Sequence, residues 1–321
     1  MSDIYQARVV LDSISPYPGG RRLTTMVLTY PRFIHSELLT HRAFARNSAS
    51  SRAIPWEKMR AMVDEHPVIP LMYGMEQGGM QTAEAIPEVM RSLADAIWNQ
   101  ARQAAMYHAD RLSHIGKIFN AAYPDLAKPE YEDIRVHKSL CNRITEPWMP
   151  ITVVVTATEW QNFFRLRVHP DAEIHFQKIA GMCKEVYDFS KPQVPPYTVI
   201  SPEYCDGEKS CPELGEYWHL PFVIGAPDQA ELLENEDISL DDLKRISVAR
   251  CARVSYLTHD GIRDPKKDIG LFDRLMQGSG FGHYSPLEHV CKAMHDPQYR
   301  SGPFFGWHQF RKDFPLENTP G

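Results

Sequence analysis

His41, Arg42, Asn47, Ser50 and Arg52 fall within twelve residues of one another. Two permanent cations, an imidazole, an amide and a hydroxyl in so short a span suit the capture of an anion. Fork-shaped guanidinium donors and small hydroxyls are the groups that hold phosphate or carboxylate oxygens. The run Asn47-Ser48-Ala49-Ser50-Ser51 consists of small residues that would leave backbone N–H groups open to such a ligand. The alternative reading of the same residues is a polar helix end carrying surface arginines.

Elements must position this cluster. Pro31 suits the first turn of a helix, and a helix from Pro31 would bury Phe33, Leu38 and Leu39 on one side while grouping Glu37, His41 and Arg42. Upstream, residues 7–15 and 22–30 are rich in β-branched residues and flank Pro18-Gly19-Gly20, the pattern of a hairpin. Residues 66–82 read as a Gly- and Met-rich connection. From Pro87 to about Gly116 the stripe Val89, Leu93, Ile97, Ala101, Ala105 and Leu112 predicts a long helix packed on a core. A helix is expected over about 129–144, with Ile134, Leu140 and Ile144 as its apolar positions and Pro147 as its stop. The run 151–156, ITVVVT, predicts a buried strand. Helices follow, one holding Trp160, Asn162, Phe163, Phe164 and Arg167 and one over about 170–187.

Between Lys191 and Asp237 lie seven prolines with little periodicity, which reads as an irregular connection. Ser239 to Asp242 has the form of a helix-capping box, with Asp in the place of the usual Glu. The helix it starts runs on through Tyr256, and another is expected over 265–277, ending at Gly278. After Pro286 a strand is expected, and then an aromatic and basic tail.

Composition bounds the function classes. A chain of 321 residues with 43% hydrophobic content can bury a sizeable core. Its net charge of −6 argues against broad nucleic-acid binding, though local arginines still permit an anionic small molecule. The six cysteines are scattered without a CxxC pair, so they predict neither a metal ribbon nor a redox pair and read as reduced thiols in a cytoplasmic protein. No basic flank precedes a long apolar run near Met1, so no secretory signal is expected. No apolar stretch reaches the length of a membrane span.

Three segments carry a resemblance. The order His41-Arg42, Asn47, Ser50, Arg52 is similar to the Arg-His-Arg-x-x-Ser-x-Asn-x-x-Ser-x-Arg signature of the flavin-dependent thymidylate synthases, with Thr40 and Ala45 in place of the first arginine and first serine. Gly282-His283-Tyr284-Ser285-Pro286-Leu287-Glu288-His289 resembles their Gly-His-x-Ser-Pro-x-Glu-His motif, and Ala252-Arg253-Val254-Ser255-Tyr256 resembles their Ala-Arg-Val-Ser-aromatic segment. Asn162 to Arg167 and the Arg143 helix end match further family elements more loosely. In typical members the Ser-Pro-x-Glu-His segment comes first, whereas here it lies some 240 residues after the His-Arg motif.

The resemblance implies an α+β fold of helices on a mostly antiparallel sheet, circularly permuted or rearranged. Residues 1–190 would form a synthase-like core, 191–237 a connection, and 238–321 the part matching the family's N-terminal region. A partial duplication in the tail would let Arg311 stand in for the arginine missing at Thr40. The implied reaction transfers a one-carbon unit from methylenetetrahydrofolate to C5 of dUMP, with electrons from NADPH through FAD.

By position, Arg167 and Ser50 would be catalytic, Arg167 stabilising negative charge on the N3/O4 edge of uracil. Arg52, Ser50, Arg143, Glu37 and Arg167 would bind the nucleotide. His41, Arg42, Asn47, Asn162, Ser255 and His289 would contact FAD, and no metal is implied. Glu37 stands where the family has Gln, which admits a cytosine base or a hydroxymethyl product. The lost arginines also admit a non-catalytic binder of flavin or nucleotide. The family's usual homotetramer is the expected assembly.

Overall fold

The structure is a computed structural model describing residues 4–79, 84–199, 215–235, 237–259, 261, 263–277 and 283–314. Its first elements are the expected hairpin, strands β1 (Gln6–Ile14) and β2 (Arg22–Pro31), paired antiparallel with a bulge between Val9 and Leu11. The turn between them places Gly19 at φ 69°. A Cβ on Gly20 would stand 2.3 Å from the Ser15 carbonyl oxygen, so the tight reversal requires the glycine pair.

The chain then departs from the predicted helix. Pro31 ends β2, a 3-10 turn covers Arg32–Ile34, and helix α1 is only His35–Leu39. Leu38 is buried, but Phe33 and Leu39 are exposed. The reason lies just beyond: Ala45–Ser48 forms strand β3, which takes the free edge of a strand a hundred residues downstream. Helices α2 (Trp56–Glu65), α3 (Glu88–Ser113), α4 (Ile115–Ala122) and α5 (Lys138–Ile144) lead to that strand, β4 (Pro150–Ala157). Helices α6 (Gln161–Arg167) and α7 (Ile174–Phe189) follow it. The sheet order is β1-β2-β4-β3, all antiparallel.

Period-two alternation sorts the side chains of β2 and β4 onto two opposite faces. Met26, Leu28, Tyr30, Val153, Val155 and Ala157 face a core built with α1, α2, α6 and α7. Val27 and Val154 face the other way, onto Phe222, Cys251 and Val254 of the C-terminal half. Both faces of the sheet are covered, and the threonines on the second face bond across strands, Thr25 with Thr156 and Thr29 with Thr152.

The C-terminal half contributes β5 (Tyr197–Val199), β6 (Gly215–His219), α8 (Gln229–Glu234), α9 (Leu240–Ala252) and α10 (Pro265–Gln277). A 3-10 turn over Ser285–His289 precedes β7 (Cys291–Ala293), the short pair β8 (Arg300–Ser301) and β9 (Phe304–Phe305), and β10 (Trp307–Gln309). A second antiparallel sheet has the order β10-β7-β6-β5. The capping box at Ser239 and Asp242 forms as expected, with both side chains bonded to the opposite backbone N–H.

Two helix expectations are corrected. The stripe of α3 is not core along its whole length: Val89 is 86% exposed, Leu93 65% and Ile97 58%, while Arg102, Met106 and Ala109 are buried instead. From Trp98 onward this 26-residue helix lies over the core, while its first turns expose their apolar side chains and bond the 70–73 segment through Arg91 and Asp95. Likewise 129–144 is a 3-10 turn, a loop and the short α5, with Ile134 and Leu140 exposed. The described part of 191–237 is also more regular than its prolines suggest. It carries β5, β6 and α8, and Trp218, Leu220 and Val223 pack in the C-terminal core. Gly278, Gly282, Cys205 and Cys211 lie outside the described residues.

A polar chain crosses the interface between the two halves. Ser13 Oγ meets His219 Nδ1 at 2.7 Å and His219 Nε2 meets Thr25 Oγ1 at 2.8 Å. Thr25 Oγ1 meets Thr156 Oγ1 at 2.7 Å, and Thr156 Oγ1 meets His289 Nδ1 at 2.8 Å. Burial lowers both imidazoles to a pKa of about 3, and each histidine is therefore neutral in the fold. The folded pKa lies below the unfolded one, so this stability is complete above about pH 6.5 and is lost as pH falls toward 3. At about pH 5 the loss should be on the order of 2 kcal/mol per histidine. Urea unfolding followed at neutral and mildly acid pH checks this, and an unchanged midpoint would contradict it.

Candidate active-site clefts

Two clefts contain most of the residues the sequence singles out. The first, of about 420 Å³, is lined by Asn47, Ser50 and Arg52, by Ala252, Ser255 and Tyr256, by His283, Ser285 and Pro286, and by Ala53, His137 and Leu275. Three segments far apart in sequence therefore share one surface. Hydrogen bonds fix their junction: Asn47 Nδ2 donates to the Cys251 carbonyl at 2.9 Å, Ser50 N to the Ser255 carbonyl at 3.2 Å, and Ser255 Oγ to the Ser48 carbonyl at 3.4 Å. The 3-10 turn Ser285–His289 packs on β3 from the other side.

Several of the amides expected to stand open after Ala45 are engaged. Ala45–Ser48 pairs with β4, Ala49 N donates to the Thr152 carbonyl at 2.8 Å, and Arg52 N donates to Ser50 Oγ at 3.2 Å. Capture of an anion here would rest chiefly on side chains. Arg52 is an exposed guanidinium, and His137 and His283 are exposed imidazoles beside three serine hydroxyls. No carboxylate lines this cleft among the described residues. A volume in the range of small-molecule sites, about 300–1,000 Å³, with donors on its wall suits an anionic ligand bearing a ring.

The loop that carries Arg52 is held by groups the sequence reading missed. Asn142, fully buried in α5, donates to the carbonyls of Ser51 and Ile54 at 2.7 and 3.0 Å, and Lys138 Nζ donates to the Ala53 carbonyl at 2.8 Å. Arg143, its neighbour, is exposed and lines neither cleft. A buried asparagine beside an exposed arginine has no one-dimensional signature.

The second cleft is smaller, about 190 Å³, and is lined by Thr40, His41, Arg42, Glu159, Asn162 and Arg167, with Ala43, Phe44, Phe163 and Leu166 behind them. Arg167 is held on three sides. Its Nε donates to His41 Nε2 at 2.9 Å, Nη1 to Glu37 Oε2 at 2.9 Å, and Nη2 to Thr40 Oγ1 at 3.3 Å. The guanidinium also lies 4.8 Å from the Phe176 ring centre. Burial, with Arg167 and Arg46 adding, lowers His41 to a pKa of about 4, so its Nε2 accepts the arginine proton as a neutral imidazole. Burial raises the Glu37 pKa against the pull of Arg167. The arginine that fills the space beside Thr40 is therefore Arg167. Arg311 pairs with Glu288 in the C-terminal half.

His289 lies in neither cleft. It is fully buried, bonded to Thr156 through Nδ1, and its Nε2 has no hydrogen-bond partner among the described residues. His137, Tyr256, His283 and Ser285 line the first cleft without having been assigned roles from the sequence. For His283, Ser285 and Tyr256 the signal was present, since all three belong to motif segments.

No protein-family model matches this chain, and no curated protein matches it. Among solved structures, the chain is similar to a UMP/dUMP methylase PolB from Streptomyces cacaoi bound with 5-Br dUMP, at a TM-score of 0.35 and 13% identity over 52% of this chain. That match spans 65% of the methylase chain. It is also similar to the flavin-dependent thymidylate synthase ThyX from Helicobacter pylori complexed with FAD and dUMP, at a TM-score of 0.30 and 13% identity, covering 51% of this chain and 67% of that one. At these scores neither likeness bears on function.

Proposed function

We propose that the chain is a flavin-dependent enzyme of pyrimidine nucleotides, a rearranged relative of the flavin-dependent thymidylate synthases. It transfers a one-carbon unit from methylenetetrahydrofolate to C5 of dUMP, with reduction by NADPH, and gives dTMP. The observation that carries this reading is the meeting of Asn47–Arg52, Ser255 and His283–Pro286 around one cleft lined with donors and free of carboxylates among the described residues. Those are the segments whose residues resemble the family motifs, and they meet although the chain order separates them.

The donor set fits a cofactor with an anionic diphosphate and a flat ring. Ser255 and Asn47 of the first cleft, with His41, Arg42 and Asn162 of the second, would hold FAD, which when bound supplies the redox chemistry. Ser50 and Arg52 hold the nucleotide phosphate through a hydroxyl and a charged fork. Arg167, fixed by His41, Thr40 and Glu37, keeps a guanidinium in place to offset charge on the pyrimidine edge. The reading includes a homotetramer, and the exposed apolar turns of α3 are a face that a second copy would cover. Sedimentation as a single chain would remove that part.

The test is direct. Purified protein incubated with dUMP, methylenetetrahydrofolate and NADPH should turn over to a product heavier than dUMP by one CH2 unit, a methyl group in place of the C5 hydrogen, read by mass spectrometry. A protein that binds no flavin and leaves dUMP unchanged would overturn the assignment. Arg52→Ala should weaken dUMP binding by roughly 10- to 100-fold, the effect of losing one charge-assisted contact to phosphate. Calorimetric titration checks it, and unchanged affinity would take Arg52 out of the phosphate site.

A further inference from the structure

The four residues Arg253–Tyr256 that close α9 are unequally anchored. Arg253 is buried in an ion pair with Asp268 at 2.7 Å, and Val254 is fully buried. Ser255 is tied to the Ser48–Ser50 loop through its hydroxyl and its carbonyl. Tyr256 differs from all three. Its ring is 49% exposed, makes no hydrogen bond or ring contact among the described residues, and lines the first cleft.

The next residue explains how that ring stays out. Leu257 takes φ 55° and ψ 42°, the left-handed conformation that helix ends normally give to glycine or asparagine. A branched side chain is disfavoured there, and such a conformation persists only where its surroundings over-determine it. Here they do. Leu257 N donates to the Val254 carbonyl, Thr258 N donates to the Arg253 carbonyl, and the Leu257 side chain packs against the main core. The chain reverses at Leu257, sending one side chain inward and leaving the aromatic ring before it on the cleft wall. Leu275 and Pro286 supply apolar surface in the same cleft, Arg52 supplies a cation and His283 an exposed imidazole.

We propose that Tyr256 is a stacking platform for the flat heteroaromatic ring of the anionic ligand in this cleft. The inference rests on the proposed function, because flavin and pyrimidine are the rings at issue there. A phenol ring offers a large face at little cost in side-chain freedom, and it stacks on any planar base regardless of hydrogen-bond pattern. Arg52, with the imidazole and hydroxyl donors beside it, holds the phosphate end while the ring face orients the other end.

Titrations of the wild type, Tyr256→Phe and Tyr256→Ala with FMN, FAD and dUMP separate the outcomes. Tyr256→Ala should weaken at least one of these ligands by roughly 10- to 100-fold, and Tyr256→Phe, which keeps the ring, should bind within a few-fold of wild type. Thermal unfolding of the variants should match the wild type, since the ring is not packed in the core. A loss confined to the flavins would identify the isoalloxazine as the stacked ring, and one confined to dUMP would identify the base. If wild type binds dUMP or flavin but Tyr256→Ala binds them equally well, the stacking role is wrong while the proposed function stands. If Tyr256→Phe loses as much as Tyr256→Ala, the ring face is not the determinant. If wild type binds none of the three ligands, the proposed function and this inference fall together.

Discussion

Replacing Arg250 with alanine should cost about 3–5 kcal/mol of stability, the range seen when one partner of a buried ion pair is removed. Arg250 is fully buried in α9. Its guanidinium donates to Asp268 at 2.9 Å, to Asp228 at 2.6 Å and to the Phe222 carbonyl at 2.7 Å. Asp268 is itself fully buried, and its other oxygen accepts from Arg253 at 2.8 Å. Take Arg250 away and Asp268 keeps one cation, while Asp228 loses its closest partner and the Phe222 carbonyl its donor. The comparison is Arg245→Ala on the same helix. Arg245 bridges Asp242 and Asp273 at a partly exposed position, where such pairs contribute about 1 kcal/mol or less. Urea unfolding of the two variants should therefore separate by several kcal/mol. Equal midpoints would mean that solvent reaches the buried network and compensates. The consequence extends to the cleft, because the Asp268 network anchors the turn that presents Ser255 and Tyr256.

What the sequence disclosed follows from where the determining forces are local. The hairpin was legible because strand alternation and a Pro-Gly-Gly reversal are local signals, and β4 because a sheet covered on both faces leaves an apolar run. The α9 start was legible because a capping box is closed by residues three apart. Strand β3 was not. Ala45-Arg46-Asn47-Ser48 has weak strand preference, and it is extended because β4 offers an unpaired edge, a tertiary cause. The same override cut the Pro31 helix to five residues and engaged several of the amides expected to face a ligand. Apolar period told that α3 is a helix but not how far it lies over a core.

The candidate site shows the same division. Ser50, Arg52 and Ser255 were readable as a set because their motifs are short and specific, and the cleft brings them together. Arg143 was read from a looser likeness to a family element, and it lies outside both clefts. His289 belongs to a motif but sits in the polar chain that joins the two halves of the fold. Motif membership there marked a segment that borders the first cleft, without fixing where the His289 side chain lies.

On the proposed reaction, replacing Arg167 with alanine should lower the rate of dUMP turnover by roughly 100- to 1,000-fold, the effect of deleting one preorganised donor at developing charge. The argument is preorganisation. Arg167 spends three donors on His41, Glu37 and Thr40, so its plane is fixed before any ligand arrives. His41 can accept because burial and the neighbouring arginines hold its pKa near 4, leaving the ring neutral at physiological pH. Glu37 offsets part of the guanidinium charge at 2.9 Å, so Glu37→Gln would remove the carboxylate while keeping an acceptor oxygen for Arg167. Lysine at 167 should not restore the rate, because a point charge lacks the planar fork that meets three acceptors at once. Steady-state kinetics with thermal unfolding alongside checks this. A variant that keeps the wild-type melting temperature and loses turnover supports the role, whereas retained turnover would reduce Arg167 to a structural clamp between α1 and α6.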